Sequence, residues 1–215
     1  MTKREENIIE MVQQHRYVET SMISNRLFRF KTGQYKAWQV LSRMTSRGLV
    51  RRFRPGGSRS EYVYTLDAKR SAKWRHWLDL NRFHFALIAS LKSWQRILYW
   101  DFEVRYPFGQ ADGFYQVQTT IQGDGVMFFV EVDDGGNKFD KIQKYLSYWR
   151  GKTWRGEWWS QGAFPLVVIV TPRAKEIREL VRRCCKAEEQ EIFRVLEKCN
   201  YSVDLVNNKI LRRMK

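Results

Sequence analysis

The stretch Met127-Phe128-Phe129-Val130-Glu131-Val132-Asp133-Asp134-Gly135-Gly136 decides how this chain is read. From Met127 to Val132 every residue but one is apolar, the pattern of a strand buried on both faces. Glu131 interrupts that run. Glu131 and Asp133 are two positions apart, so on a strand their side chains leave the same face. Asp134-Gly135-Gly136 is a turn signal that ends the strand. Upstream, Ile97 to Val104 reads as a strand, and Tyr106 to Phe114 as a loop containing Asp112-Gly113. Val117 to Ile121 continues a second strand, and Gln122 to Gly125 is a tight turn. Downstream, a helix carries Phe139, Ile142, Leu146 and Trp149 on one face. Phe164 to Thr171 follows as a buried strand, then a helix from Ala174 to Cys185. Phe193, Val195, Leu196 and Tyr201 are expected in a last helix, Ser202–Val206 in a last strand, and 209–215 in a basic tail.

Carboxylates that converge at a sheet edge are costly unless something neutralises them, and a hard divalent cation does so through oxygen ligation. Asp112, Glu131 and Asp133 are therefore candidate ligands for Mg²⁺ or Mn²⁺. With a bound phosphate, such a cation activates water and stabilises the leaving oxygen in phosphodiester cleavage. The plainer alternative is that Asp112-Gly113 and Asp133-Asp134-Gly135 are turn chemistry.

The first 66 residues differ in character. A first helix carries Ile8, Ile9, Met11 and Val12 behind Glu5 and Glu6. A second, capped by Thr20 or Ser21, carries Met22, Ile23, Leu27 and Phe28. A third runs from Gln34 to Ser46 with Ala37, Val40, Leu41 and Met44 inward, and Gly48 ends it. Two strands around Leu49–Phe53 and Tyr62–Leu66 flank the turn Pro55-Gly56-Gly57-Ser58. Three helices plus a hairpin resemble a winged helix-turn-helix, the likeness lying in Val40-Leu41-x-x-Met44-x-x-x-Gly48-Leu49-Val50-Arg51-Arg52. Such a unit presents polar and basic side chains to DNA. The candidates at or beside the third helix are Lys31, Gln34, Lys36, Gln39, Arg43 and Arg47, with Tyr35 also within reach of base edges. Arg51, Arg52, Arg54 and Arg59 bracket the wing.

Composition supports a polyanionic partner. The chain of 215 residues has 39 Lys plus Arg, 23 Asp plus Glu and a formal net charge of +16. Its 15% aromatic content argues against disorder. The three Cys, two of them adjacent, argue against a disulfide scaffold and favour a reducing cytoplasm. No apolar window is long enough for a membrane span, and Met1 to Glu6 is not followed by a signal-peptide core. The expected class is α+β. The expected organisation is 1–70 winged helix, 71–95 linker helix and 96–215 a mixed-sheet α/β domain.

Residues 97–149 carry Trp100-x-x-Glu103, Ala111-Asp112-Gly113 and Phe129-Val130-Glu131-Val132-Asp133-x-Gly135, followed by Lys138 to Tyr145. They resemble the replication-relaxation family of mobile-element proteins, and the winged helix extends the likeness over most of the chain. The resemblance implies a role in plasmid or integrated-element replication or mobilisation and a PD-(D/E)XK nuclease-like core with a restriction-endonuclease-like mixed sheet. Asp112 and Glu131 would be metal ligands, and Glu103 an accessory acid. The acid-x-Lys motif would need Lys at position 133, where this chain has Asp. Lys138 or Lys141 could substitute from the next helix. The implied partners are double-stranded DNA, with single-stranded DNA, a second copy of the chain and replication or mobilisation proteins as further candidates.

Two other readings stay open: a binding module whose nuclease-like domain is inert and serves assembly or regulation, and a structural nucleoprotein component. Other chemistries lack their residues. His15, His76 and His84 form no His-hydrophobe-His cluster, Gly151-Lys152-Thr153 lacks the upstream glycine of a phosphate loop, and no Cys-x-x-Cys pair exists. Trp149 to Trp159 interleaves four indoles with three basic residues, which suits either base stacking or a loop capping the core.

Overall fold

The computed structural model describes residues 1–136, 138–160 and 162–198. The chain forms two compact units, Met1–Phe85 and Ala86–Lys215. The mixed α+β class read from the sequence is the class observed.

The first unit contains α1 (Lys3–His15), β1 (Val18–Glu19), α2 (Thr20–Leu27), α3 (Gly33–Ser46), β2 (Arg51–Phe53) and β3 (Val63–Thr65). Thr2 caps α1 in a reciprocal box with Glu5, which satisfies two otherwise orphaned amides. Ile8, Met11 and Val12 of α1, Met22 and Ile23 of α2, and Ala37, Leu41 and Met44 of α3 are buried, so each helix turns one stripe inward. β3 pairs antiparallel with both β2 and β1, giving the order β1-β3-β2. The three helices and the β2–β3 hairpin read from the sequence are thus present, with β1 added to the sheet. Val18 and Glu19, between the first two helices, form β1 through Val18↔Tyr64 and Glu19↔Val63. As a result α2 starts at Thr20 with Glu19 at the cap position, so neither Thr20 nor Ser21 is the cap.

The helix α4 (Trp74–Ser90) occupies most of 71–95, the segment read as a linker helix, and the division between the units falls within it. The physical reason is Asn81. Its Nδ2 donates to the carbonyls of His15 (2.7 Å) and Tyr17 (2.8 Å), and its Oδ1 accepts from His15 Nδ1 at 3.0 Å. Arg82 adds an ion pair with Glu19. Residues up to Phe85 thus belong to the first unit.

Two buried histidines make this unit acid-sensitive, although the Asn81 hydrogen bond opposes the shift on His15. His15 and His84 are buried with ring centroids 5.0 Å apart. Burial, mainly, holds His15 down at about 4 and His84 down at about 3 against an ordinary 6.5. The unfolded chain therefore takes up protons before the folded one does. Stability is complete above pH 6.5 and is lost as pH falls from there towards 4, the His15 gap alone being worth about 3 kcal/mol. The melting temperature is expected to drop between pH 7 and pH 4.5, and His84→Phe to reduce that drop. A flat profile in the wild-type chain would contradict this.

The second unit carries β4 (Arg96–Tyr106), β5 (Gly109–Gln118), β6 (Gly125–Val132), α5 (Lys141–Gly151), β7 (Leu166–Thr171), α6 (Ala174–Cys184), α7 (Ala187–Gln190) and β8 (Phe193–Glu197). The sheet order is β4-β5-β6-β7-β8, antiparallel through β6 and parallel from β6 to β8. β4 and β5 form a hairpin around Pro107 and Phe108, so Asp112 lies within a strand and not in a loop. Gly109, with φ +128°, closes the hairpin in a region that favours glycine. Phe193 to Glu197, expected to be helical, is a strand parallel to β7 in the register Val168↔Arg194 and Val170↔Leu196. Pairing with an already buried strand overrides the local pattern there.

Ile142, Tyr145 and Leu146 of α5 and Ile177 and Val181 of α6 pack with Phe114, Phe129, Val167 and Ile169 in one core cluster. Trp154 and Trp159 join that cluster, while Trp158 is exposed. The tryptophan-rich loop therefore caps the core with two of its indoles. Cys185 is buried, and its thiol is pushed up to about 11 by that burial, which leaves it poorly reactive. Among the described residues no helix is long and apolar enough to cross a membrane. Cys199, the strand expected at Ser202–Val206 and the basic tail lie outside the described residues.

Candidate functional site

The register of the antiparallel strands assembles the acids of the second unit. Gly113 pairs with Val130, which places Asp112 beside Glu131 on the next strand. Glu131 is fully buried, so its carboxylate needs partners for both oxygens. Both come from α5. Lys141 Nζ pairs with Oε2, and the Tyr145 hydroxyl donates to Oε1 at 2.5 Å. Lys141 and Tyr145 are four apart on the helix and so share a face. The same ammonium reaches Asp112 Oδ1 at 3.1 Å and the carbonyl of Gln110 at 3.3 Å. The second oxygen of Asp112 accepts from the backbone N–H of Val132 at 2.7 Å. Two carboxylates on adjacent strands thus share one ammonium.

Electrostatics follow from this packing. Burial and the neighbouring charge of Asp112 push the Glu131 carboxyl well above its ordinary range, although Lys141 and Tyr145 oppose the shift. Burial alone would lower Lys141, but Glu131 and Asp112 outweigh it and raise the ammonium. Tyr145 is pushed up by burial and by Glu131, so it stays a proton donor. The cluster is not sealed. The side chain of Lys141 is 27% exposed and that of Asp112 13%, so both side chains reach the surface in part while Glu131 is fully buried.

The other expected residues are placed differently. Asp133 lies past the end of β6 and does not join Asp112 and Glu131. Its carboxylate accepts from Arg173 Nε at 2.9 Å and Nη2 at 3.1 Å, from the Thr171 hydroxyl at 2.7 Å and from Gly135 N–H at 3.0 Å. Burial pushes this carboxyl up, but those four donors together hold it below its ordinary value. Asp133 is thereby a tie between the ends of β6 and β7 and the start of α6. Glu103 lies on β4 between the pairs Phe102↔Gly113 and Val104↔Ala111. Its φ of +55° is a strained conformation for a non-glycine residue. Of the two lysines expected to substitute, Lys141 meets the carboxylates, while Lys138 is exposed ahead of α5. Among the described residues no three His, Cys, Asp or Glu side chains gather as a metal cluster.

In the first unit Lys31, Gln34, Lys36 and Gln39 are exposed along the N-terminal half of α3 or just before it. Arg43 and Arg47 are anchored instead. Both pair with Glu5 Oε1, at 3.2 and 2.9 Å, and Glu5 is 1% exposed. Sequence spacing could not reveal that, because α1 supplies the acid. In the wing, Arg52 and Arg54 lie over the Tyr62 ring at 4.3 and 4.2 Å, and Arg51 donates to the carbonyl of Ala68 at 2.9 Å. Arg59 is exposed near the wing tip.

Two residues escaped the sequence reading. Tyr145 was signalled only by its spacing from Lys141. Trp38 was signalled by its place off the Ala37–Leu41–Met44 stripe. Searches for similarity to known protein families, to curated proteins and to solved structures return no match to this chain.

Proposed function

We propose that this chain is a cytoplasmic DNA-binding protein of plasmid or integrated-element replication or mobilisation, and that its second unit nicks DNA with a divalent cation. The observation that carries the reading is the Asp112–Lys141–Glu131 constellation. Asp112 and Glu131 offer two hard oxygen donors at the position that Lys141 Nζ occupies, the donor type that Mg²⁺ or Mn²⁺ takes. Asp112 and Glu131 would hold that cation, which supplies charge neutralisation and water activation when bound. Lys141, partly exposed, then serves the phosphate or the attacking water. Tyr145 orients Glu131, and the Val132 N–H orients Asp112. Docking falls to Lys31, Gln34, Lys36, Gln39 and Arg59, with Arg51, Arg52 and Arg54 stiffening the wing.

A second reading, a DNA-binding assembly factor without cleavage, is favoured by the ammonium already seated between the two acids. The test is nicking of supercoiled plasmid carrying a fragment selected by binding, with Mg²⁺ or Mn²⁺, for wild type and Glu131→Gln. Relaxed product from wild type alone, and only with metal, supports cleavage. Binding with no product in either metal favours the assembly factor.

A further inference from the structure

The outward face of α3 carries an aromatic pair that the fold does not use. Tyr35 is 59% exposed and Trp38 is 47% exposed, yet their rings stack with centroids 6.3 Å apart and planes within 26°. Phe30, in the turn before α3, is 49% exposed. The buried stripe of α3 is Gly33, Ala37, Leu41 and Met44, so Tyr35 and Trp38 lie off it and add little to the core. The sequence around them carries one sign of charge, although α1 supplies Glu5 to Arg43 and Arg47 of the same helix. Between Glu19 and Glu61 the sequence has ten Lys or Arg and no Asp or Glu. Lys31, four residues before Tyr35, and Lys36, between Tyr35 and Trp38, are both exposed.

An apolar partner would find this surface strongly charged, and a folded duplex hides the flat faces of its bases. A single strand offers both complements at once: phosphates for the cations and unstacked bases for the rings. We propose that Tyr35 and Trp38 form a stacking platform on which the first unit takes single-stranded DNA. The platform would hold a strand that has been melted or released by a nick. The proposal rests on the DNA reading above and adds to it a second, strand-separated substrate.

The test uses the full chain and fluorescence anisotropy with a labelled 20-nucleotide single strand and its matching duplex. Trp38→Ala is expected to weaken single-strand binding at least about fivefold, while duplex binding changes less than about twofold. Trp38→Phe is expected to retain most single-strand affinity. The salt dependence is expected to keep its slope, because no charge has been removed. Tyr35→Ala repeats the measurement should Trp38→Ala fold poorly. Equal losses on strand and duplex, or no loss on either, overturn the platform while leaving the DNA reading intact. No binding of either nucleic acid by wild type overturns both.

Discussion

Lys141→Met is expected to abolish metal-dependent nicking, with a loss of about 100-fold or more, the scale set by removing a positioned proton-transfer or charge-stabilising group. It is also expected to destabilise the second unit. Removing one partner of a buried ion pair leaves the other charge uncompensated, at about 3–5 kcal/mol. Here Glu131 is fully buried and Asp112 lies beside it, so two carboxylates lose their shared ammonium. Because the Glu131 carboxyl is already held well above its ordinary range and loses the ammonium that opposes that shift, the destabilisation is expected to grow as pH rises and to shrink as pH falls. The double variant Lys141→Met with Glu131→Gln separates the two effects, since stability returns in part and nicking does not. Lys144→Met is the control, because Lys144 is exposed and pairs only across one helical turn with Asp140. Nicking by Lys141→Met at the wild-type rate would remove Lys141 from the site.

Gly33→Ala is expected to unfold the first unit or to lower its melting temperature by more than about 10 °C. Gly33 is the first residue of α3 and is buried. A Cβ there would lie 1.8 Å from the carbonyl oxygen of Phe28 and 2.9 Å from its carbonyl carbon. Both atoms are backbone at the end of α2, so no side-chain rotation relieves the clash. The turn from α2 to α3 must open, which draws Ala37, Leu41 and Met44 of α3 out of their buried positions. DNA binding is expected to fall with it. Gly57→Ala in the wing makes the comparison: its φ is +80° and nothing lies within 4 Å, so only backbone strain of about 1–2 kcal/mol is added. Thermal denaturation of the two variants side by side checks this. Equal, small losses would contradict the close packing of the α2–α3 turn.

Much of the fold was legible because periodicity alone marks it. The helical stripes at Ile8–Val12 and Ala37–Met44, the apolar runs at Met127–Val132 and Leu166–Thr171, and the turn at Gly56-Gly57 each carry a local signal. The elements misread are those whose state depends on a distant partner. Val18–Glu19 is a strand only because β3 lies beside it, and Phe193–Glu197 only because β7 does. Asp112 belongs to a strand because the hairpin at Pro107-Phe108 closes tightly.

The site divides in the same way. The sequence by itself determined the basic first unit, the mixed α+β class and the candidacy of Asp112 and Glu131, since charge balance, hydrophobic period and an acid within a buried run are local properties. The tertiary structure decided which cation meets those acids. It selected Lys141, bound Asp133 to Arg173 and anchored Arg43 and Arg47 on Glu5. These choices depend on strand register and helix packing, which join residues ten to forty-two positions apart. No local pattern encodes the position a side chain occupies once the chain has closed around it.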